Sequence, residues 1–448
     1  MRLSLHPLAF AILLAGTAGT ANAADLIEAY ELARQGDPVL AAAESRSQFQ
    51  EEGIVQSRAA LLPQISAGAS LTDSRTRGVD AYDRDRSYGL DLNQSIYDRG
   101  NYTRLAAARL RSDQSDAEYK AAADELVVRV AQAYFDVLTA IETLASSRAE
   151  ERSVGRQLDQ AEKRLEVGLA PITDVHEARA RFDTARANAI AAGIQLEDAR
   201  EALAEITGTP LENLQGLSRD YKPENTDARS AQDWVDIALK SNPRLLASEL
   251  ALAAAERDIG TARSFHLPTL SATASIGDSA SWQSDFPGSA NFSGGGSTVG
   301  VRLSVPIFNG FATQSGVRQA VHGRDIAADG LEQQRRSVVR QARNAQRSLT
   351  GGEAEVEARR LSVVSAQAAY EASEAGLEVG TRTIVDVLIT QQALFEAQRE
   401  YARSRHQYLV NTLRLKQVAG TISLADVQEV NRVLVVDANA ALDNIPAE

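Results

Sequence analysis

The sequence predicts a mostly α-helical fold with a small β part, built from two copies of one structural plan. Two blocks of sequence recur in the same order along the chain. Two stretches of roughly 67 residues each contain no proline and are rich in Ala, Glu, Arg and Gln. Four further segments alternate apolar and polar residues with a period of two, which is typical of strands. Together these observations predict very long helices joined to a few strands, with an internal duplication.

The composition excludes several classes of protein. The 448-residue chain contains no cysteine, which excludes a disulfide framework, a zinc–thiolate site and a cysteine nucleophile. Its net charge of −13 argues against a nucleic-acid binder, which needs a basic face. The only long apolar run lies at the N-terminus, so a bundle of transmembrane helices is excluded too.

The N-terminus, residues 1–23, has the pattern of a signal peptide. Arg2 precedes the apolar run 8–15, and Ala21-Asn22-Ala23 forms a small-residue cleavage site. The alternative is a buried N-terminal helix. The signal peptide predicts an exported protein whose mature chain begins at Ala24.

The duplication is visible in two pairs of segments. Residues 38–71 match 243–276 at an offset of 205, and 166–175 match 378–387 at an offset of 212. Each copy predicts a helix, two strands, a very long helix, a tight turn and a second helix. The predicted organisation is a signal peptide (1–23), a first repeat (24–222), a second repeat (223–430) and a weakly ordered tail (431–448).

The first helix of each repeat is bounded by prolines. In the first repeat it runs from Pro38, where the missing N–H costs nothing, to the residue before Pro63. Pro243 and Pro268 bound its counterpart in the same way. Two shorter helices, at about 25–35 and 231–240, precede the repeats.

The four strands each have one apolar and one Ser/Thr/Gly/Asn-rich face. The alternation covers 65–72, 88–96, 270–276 and 298–307, and the polar segments between paired strands, 72–87 and 278–297, are predicted as loops. In a membrane four strands would leave two open edges, so strands from several subunits must combine. The alternative is a small soluble sheet packed on helices.

The long helices, about 101–167 and 313–379, would each extend roughly 100 Å and must project from any globular body. Partner helices are predicted at about 173–206 and 384–418. Gly168 and Gly380 suit the left-handed turns that end the long helices. The sequence therefore predicts two antiparallel helical hairpins with tight tips.

This plan and its motifs resemble the TolC family of outer-membrane efflux and secretion channels. The motifs are VGLAPITDV (167–175), AYFDVLTAI (133–141), HLPTL (266–270) and EVGTRTIVDVL (378–388). The similarity is closer to the TolC branch than to the lipid-anchored drug-efflux branch, because no cysteine follows the signal segment. The resemblance covers about residues 24–430.

The resemblance implies a homotrimer in the outer membrane of a Gram-negative bacterium. Four strands per chain would make one twelve-stranded transmembrane β-barrel in contact with outer-membrane lipid, and the helices would continue it as a coiled-coil tunnel across the periplasm. The implied partners are a periplasmic adaptor protein and an inner-membrane pump, of either the drug-efflux or the ABC type. The implied function is multidrug efflux or type I protein secretion, and the sequence does not decide between them.

The resemblance also implies a set of site residues at the tips. The aspartate matching Asp386 faces the lumen at the periplasmic constriction, where three copies would form an acidic, cation-attracting ring. The family often has a second aspartate one turn further on, where this chain has Ile389. The alternative reading is that Asp386, and the equivalent Asp174, only stabilise helix N-termini.

Arg382 matches a family arginine that contacts the neighbouring hairpin through residues matching Thr173 and Asp174. The tyrosine that completes this closed-state contact in the family is Leu377 here. A solvated arginine is the alternative. Separately, the exposed turns at Gly168 and Gly380 are predicted to contact the adaptor.

No constellation in the sequence supports an enzyme. The five histidines have no metal-ligand spacing, and no HExxH, GxSxG or phosphate-binding loop occurs. We therefore expect no cofactor, no metal and no catalysis. The rival functional class is a periplasmic coiled-coil adaptor or structural protein.

Overall fold

The computed structural model describes residues 23–75, 82–218, 220–223, 229–283 and 291–443. The predicted signal peptide lies outside this range except for its last residue. The first repeat contains α1 (Leu26–Gly36), α2 (Pro38–Ala59), β1 (Gln64–Arg75), β2 (Tyr82–Tyr97), α3 (Arg99–Glu166), α4 (Ile172–Thr207) and β3 (Gln215–Leu217). The second contains α5 (Ala231–Ser241), α6 (Pro243–Ser264), β4 (Thr269–Gln283), β5 (Phe292–Ser304), α7 (Ala312–Glu378) and α8 (Ile384–Val418). The chain continues with α9 (Leu424–Asn431), β6 (Leu434–Asp437) and α10 (Ala440–Asp443).

The helices α2 and α6 start at Pro38 and Pro243, as the sequence predicts. Asp37 and Asn242 occupy the cap positions before Pro38 and Pro243, and their side chains accept hydrogen bonds from the N–H groups two residues after each proline. Such caps satisfy backbone donors that the first turn of a helix leaves free. The two repeats therefore begin with the same local chemistry.

The four long strands form one antiparallel sheet in the order β1-β2-β4-β5. The register pairs Leu92 with Ile65 on one side and Ala274 on the other, and Ala274 with Val299, so the apolar residues of all four strands share a face. β1 and β5 are edge strands. The sheet therefore has one apolar face and two open edges within a single chain.

The predicted loops 72–87 and 278–297 are shorter than expected. The sheet takes in their outer parts, 72–75, 82–87, 278–283 and 292–297, including the triple glycine 294–296 of β5. Backbone pairing holds these polar segments in register, aided by side-chain contacts such as the ion pair between Arg84 and Asp73 (3.0 Å), so they needed no apolar alternation to be strands. The remainder of each predicted loop lies outside the described residues.

The hydrophobic core lies about midway along the hairpins. Its centre is Tyr134, whose hydroxyl donates to the backbone oxygen of Gln215 (2.7 Å) and also lies 3.0 Å from that of Ala24. Other large buried side chains are Phe135, Leu138 and Ile141 of α3, Leu203 of α4, and Leu413 and Leu415 of α8. This core ties Ala24 and α1 to α3, α4 and α8.

The segment after residue 430 differs from the weakly ordered tail that the sequence predicts. β6 pairs with β3 in a two-stranded sheet, and Leu434 is buried in the core. Asn431 accepts a hydrogen bond from the Leu26 N–H and donates to Asp25. These contacts are far apart in sequence, which is why no local pattern revealed them. Residues 444–448 are not among those described.

Among the residues described, no helix is both long and apolar enough to cross a membrane.

Candidate functional site

The two hairpin tips are built on left-handed glycines. Gly168 has a φ of 75° and Gly380 a φ of 77°. The chain turns back through hydrogen bonds from Leu169 N to Arg164 O and from Thr381 N to Gly376 O, both 2.8 Å long. A side chain at either glycine would meet open space, so only backbone strain disfavours it.

Apolar side chains stand exposed at both tips. Leu169 is 74% exposed, and Val167, Ile172 and Val379 are exposed as well. Exposed apolar groups at the end of a projecting hairpin are suited to contact with another protein. The tips thus have a surface that the chain itself does not cover.

Asp386 sits in the first turn of α8 as part of a capping box. Its carboxylate accepts from the Thr383 N–H (2.9 Å) and hydroxyl (2.9 Å), and its own N–H donates to the Thr383 hydroxyl (3.2 Å). Arg382 Nη1 lies 4.0 Å from Asp386 Oδ1. The Thr383 backbone N–H, then its hydroxyl and Arg382, hold the pKa of Asp386 below its usual range. Within one chain Asp386 therefore has a helix-capping role and stays ionised.

The other predicted tip residues are not brought together within one chain. In the described part of the chain, no hydrogen bond or ion pair joins Arg382 to Thr173 or Asp174. The Thr173 hydroxyl instead lies 3.5 Å from Asp174 Oδ1, at the start of α4. A contact of Arg382 with the other hairpin stays a prediction for neighbouring chains.

Leu377 occupies the position of the family tyrosine, and its side chain has no hydroxyl. It lies against an apolar cluster that joins the two hairpins just behind the tips. The buried members of this cluster are Val154, Ala161, Val175, Ala178, Ala185, Ile384 and Leu388. Apolar packing therefore connects the hairpins at this point.

A line of buried and half-buried polar contacts along α3 and α8 was missed by the sequence analysis. Gln391 Nε2 donates to Ser153 Oγ (2.6 Å), and Arg399 Nη1 donates to Glu150 Oε2 (2.8 Å). A polar residue every seven or eight positions in the apolar stripe of α8 was the available signal. It could not reveal the partners, which lie on the other hairpin.

His406 forms the third contact of this line. Its Nδ1 lies 2.8 Å from the Thr139 hydroxyl, and its ring packs on Phe135. Burial, and to a lesser extent Arg405, lowers the pKa of His406 to about 3. The imidazole is therefore neutral throughout the physiological range.

The apolar face of the sheet is uncovered. Val299 is 83% exposed, and Ile65, Val301 and Leu303 are also exposed. Where the strands meet the helices the exposed apolar side chains include the aromatic residues Tyr97, Phe265, Phe308 and Phe311. An outward apolar band flanked by aromatic residues is typical of strands in contact with lipid. Among the described residues no cluster of side chains could hold a metal ion.

An apolar strand face continuous with helical hairpins roughly 100 Å long defines the class of outer-membrane channel proteins with a helical extension. The chain belongs to the outer membrane efflux protein family, whose model matches residues 29–209 and 234–421. The match falls into two segments, consistent with the internal duplication.

Relatives cover nearly the whole chain. It is 35% identical to the outer membrane protein TolC of Vibrio cholerae, over 92% of this chain and 94% of the relative. It is 34% identical to TolC of Escherichia coli K12, over 98% and 91%, respectively. It is also 30% identical to the alkaline protease secretion protein AprF of Pseudomonas aeruginosa, over 91% and 87%.

Solved structures support the fold. The CmeC outer membrane channel of Campylobacter jejuni has a TM-score of 0.74 at 18% identity, over 92% of this chain and 90% of that one. CusC has a TM-score of 0.75 at 21% identity, over 88% and 92%. Family and relatives together confirm an outer-membrane channel protein of the efflux and secretion class. The rival prediction of a periplasmic adaptor loses its support.

Proposed function

We propose that three copies of the chain associate side by side in a closed ring and form a non-enzymatic conduit. It would take substrates from an inner-membrane pump, with an adaptor docked on the hairpin tips, and pass them across the periplasm and outer membrane. The observation that carries the proposal is that one chain has unpaired edges at the same two sides in both its sheet and its helices.

The sheet supplies the first pair of edges. β1 and β5 each present a row of unpaired backbone N–H and C=O groups, and in lipid each unpaired group costs several kcal/mol. Pairing β5 of one chain with β1 of the next removes every edge when the ring closes. Three chains then give twelve strands, above the minimum of eight for bacterial barrels.

The helices supply the second pair of uncovered edges. Within the chain α8 packs between α7 and α3, whereas α4 and α7 lie at opposite sides and have no comparable contact with each other. Ile190 and Ile194 of α4 are both exposed, as are Leu361 and Val364 of α7, which lie at a similar distance from the tips. An α4–α7 contact between neighbouring chains would bury such side chains and complete the ring of hairpins.

The entrance would lie at the tips. Three copies of Asp386 near the axis would attract cations, and Arg382 would contact Thr173 and Asp174 of the adjacent chain to hold the tips together. The capping box supports this proposal, because it fixes the Asp386 carboxylate in position and keeps it ionised.

Asp386→Ala tests the entrance. In planar bilayers the variant should lose most of the cation preference of the unaltered channel and its block by trivalent cations. The control is Asp236→Ala, which removes an equal charge on α5, roughly 60 Å along α7 from the tips. Unchanged selectivity and block in Asp386→Ala would leave Asp386 as a helix cap only.

A further inference from the structure

The seam between α3 and α8 joins two hairpins that belong to different repeats. Its polar contacts are Gln391–Ser153, Arg399–Glu150 and His406–Thr139. Successive contacts are separated by seven or eight residues on α8. We call these three contacts the polar seam.

The polar seam is set among buried apolar side chains. Leu388 and Leu394 flank the first contact, and Leu409 and Val410 follow the third. If α8 slid by one turn along α3, these apolar groups would still find apolar partners, but the polar groups would be left buried and unpaired. An unpaired buried polar group costs about 1–3 kcal/mol. The polar seam therefore fixes the register of the second hairpin against the first, as a buried polar residue does in a coiled coil.

Gln391 is the member nearest the tips, and its environment is distinctive. It is only 2% exposed, and its Nε2 reaches the Ser153 hydroxyl on α3 and, more weakly, the Tyr370 hydroxyl on α7 at 3.4 Å. Its Oε1 is buried and has no hydrogen-bond partner. The Gln391 amide therefore contacts both hairpins through Nε2, while its Oε1 makes no hydrogen bond.

Gln391 also lies close to the proposed constriction. It follows Asp386 by five residues on α8, which is roughly 7–8 Å along the helix axis. Any movement of α8 at Gln391 relative to α3 is transmitted along this short rigid segment to Asp386. The tip contacts, by contrast, are exposed to solvent.

We propose that Gln391 is a positioning residue for the entrance, holding the α7–α8 hairpin against α3 so that the resting channel stays narrow. The inference rests on the proposed channel function and adds a buried control point behind the tips. Loosening this contact would let the second hairpin tilt outward and widen the entrance.

Gln391→Glu makes the contact depend on pH. When protonated, the introduced carboxyl has nearly the shape and hydrogen bonding of the amide. Burial raises the pKa of a carboxyl, so the group would ionise within the neutral range rather than near pH 4. The titratable and charged groups around it are Tyr370 and Glu374 on α7, Arg156 on α3 and, beyond Gln392, Arg181 on α4. Ionisation would draw water into the seam and separate the helices.

The experiment measures single-channel conductance of the purified full chain in planar bilayers between about pH 5.5 and pH 8. For Gln391→Glu we expect wild-type conductance at the lower pH and about a twofold or greater rise at the higher pH. The matched control is Gln392→Glu, at the adjacent exposed position whose amide accepts from Arg181. A carboxyl there is already ionised across this range, so its conductance should follow the wild type at every pH.

Gln391→Leu provides a second reading, because it keeps the volume and removes the hydrogen bonds. We expect raised conductance without pH dependence. If Gln391→Glu and Gln391→Leu both conduct like the wild type, the positioning role is wrong. If Gln391→Glu fails to assemble even at low pH, the result for Gln391→Leu decides alone. If the unaltered chain itself does not conduct, the channel proposal fails, which is a distinguishable outcome.

Discussion

The closing helices of the two repeats, α4 and α8, are equivalent in sequence but differ in what covers them. They span 36 and 35 residues, and both end at a left-handed glycine, Gly208 (φ 73°) and Gly420 (φ 69°). The offset of 212 pairs Ile194 of α4 with His406 of α8. Ile194 is 60% exposed, whereas His406 is 3% exposed.

This difference is the reverse of what the residue types favour, because isoleucine is usually buried and histidine is intermediate. α8 packs against α3, the long helix of the other repeat, as well as against its own partner α7, whereas α4 has no comparable contact with α7 within the chain. The comparison teaches that a chain with an internal repeat can form one of two equivalent helix contacts, α3–α8, within itself. The equivalent contact, α4–α7, is left to be formed with the next copy. The predictions below test that difference, beginning with the largest expected effect.

Ile194→Asp should abolish assembly while leaving the chain folded. A carboxylate would be buried without a partner in the proposed α4–α7 contact, whereas in the single chain it meets only solvent. Heat-modifiable trimer in the outer-membrane fraction should disappear, and circular dichroism of the purified chain should still show its helices. Gln195→Asp is the control, since its equivalent, Gln407, stays exposed on α8. Normal assembly of Ile194→Asp would contradict the proposal that α4 and α7 of neighbouring chains form a contact equivalent to the α3–α8 contact.

Phe135→Ala should destabilise the chain itself, because Phe135 lies in the α3–α8 contact, which forms within a single chain. Removal of a fully buried phenylalanine typically costs about 3–5 kcal/mol. The measurement is the denaturant midpoint in detergent, with Phe49→Ala, an exposed residue on α2, as the control. Equal stability of the two variants would contradict the assignment of the core.

His406 should make stability depend on pH. Its pKa is about 3 in the folded chain and near 6.5 when unfolded, so its contribution is full above about pH 6.5 and is lost as the pH falls toward 3. Between about pH 7 and pH 5 the free energy of unfolding should fall by about 2 kcal/mol through this group. His406→Gln should reduce the slope, and His322→Gln, at an exposed position on α7, should not. An identical slope in both variants would argue against a buried neutral imidazole.

Gly168→Val should have the smallest effect on the chain and act mainly on transport. A β-branched residue at a φ of 75° strains the tip by about 1–3 kcal/mol, whereas Gly168→Asn tolerates the left-handed conformation. Trimer level should persist in both variants, and export should fall only in Gly168→Val. Gly380 permits the same pair of variants on the other repeat. Full export in Gly168→Val would count against adaptor docking at this tip.

The sequence predicted the parts of the fold that depend on local chemistry. The proline-bounded helices, the alternating strands and the glycine turns at 168 and 380 all lie where these rules indicated. The outer ends of the strands were missed because their polar residues carry no alternation. The segment β6 was missed because its partner β3 lies more than two hundred residues away.

The candidate site was predictable only in part. Asp386 was identified through a resemblance, and the structure adds the Thr383 cap that keeps it ionised. Gln391 and its contact with Ser153 were not predictable, because the pairing is set by how two separate hairpins pack. The contact of Arg382 with Thr173 and Asp174 stays a prediction, since it requires a neighbouring chain.

The central claim is that the unpaired edges of one chain are completed by two further copies. The most direct test is the mass of the detergent-extracted protein, measured by analytical ultracentrifugation with the bound detergent matched by density. We expect a single species of about three times the chain mass that resists dissociation without heating. A stable, folded monomer with its strands intact would contradict the account, because it would mean that the edges of β1 and β5 need no partner.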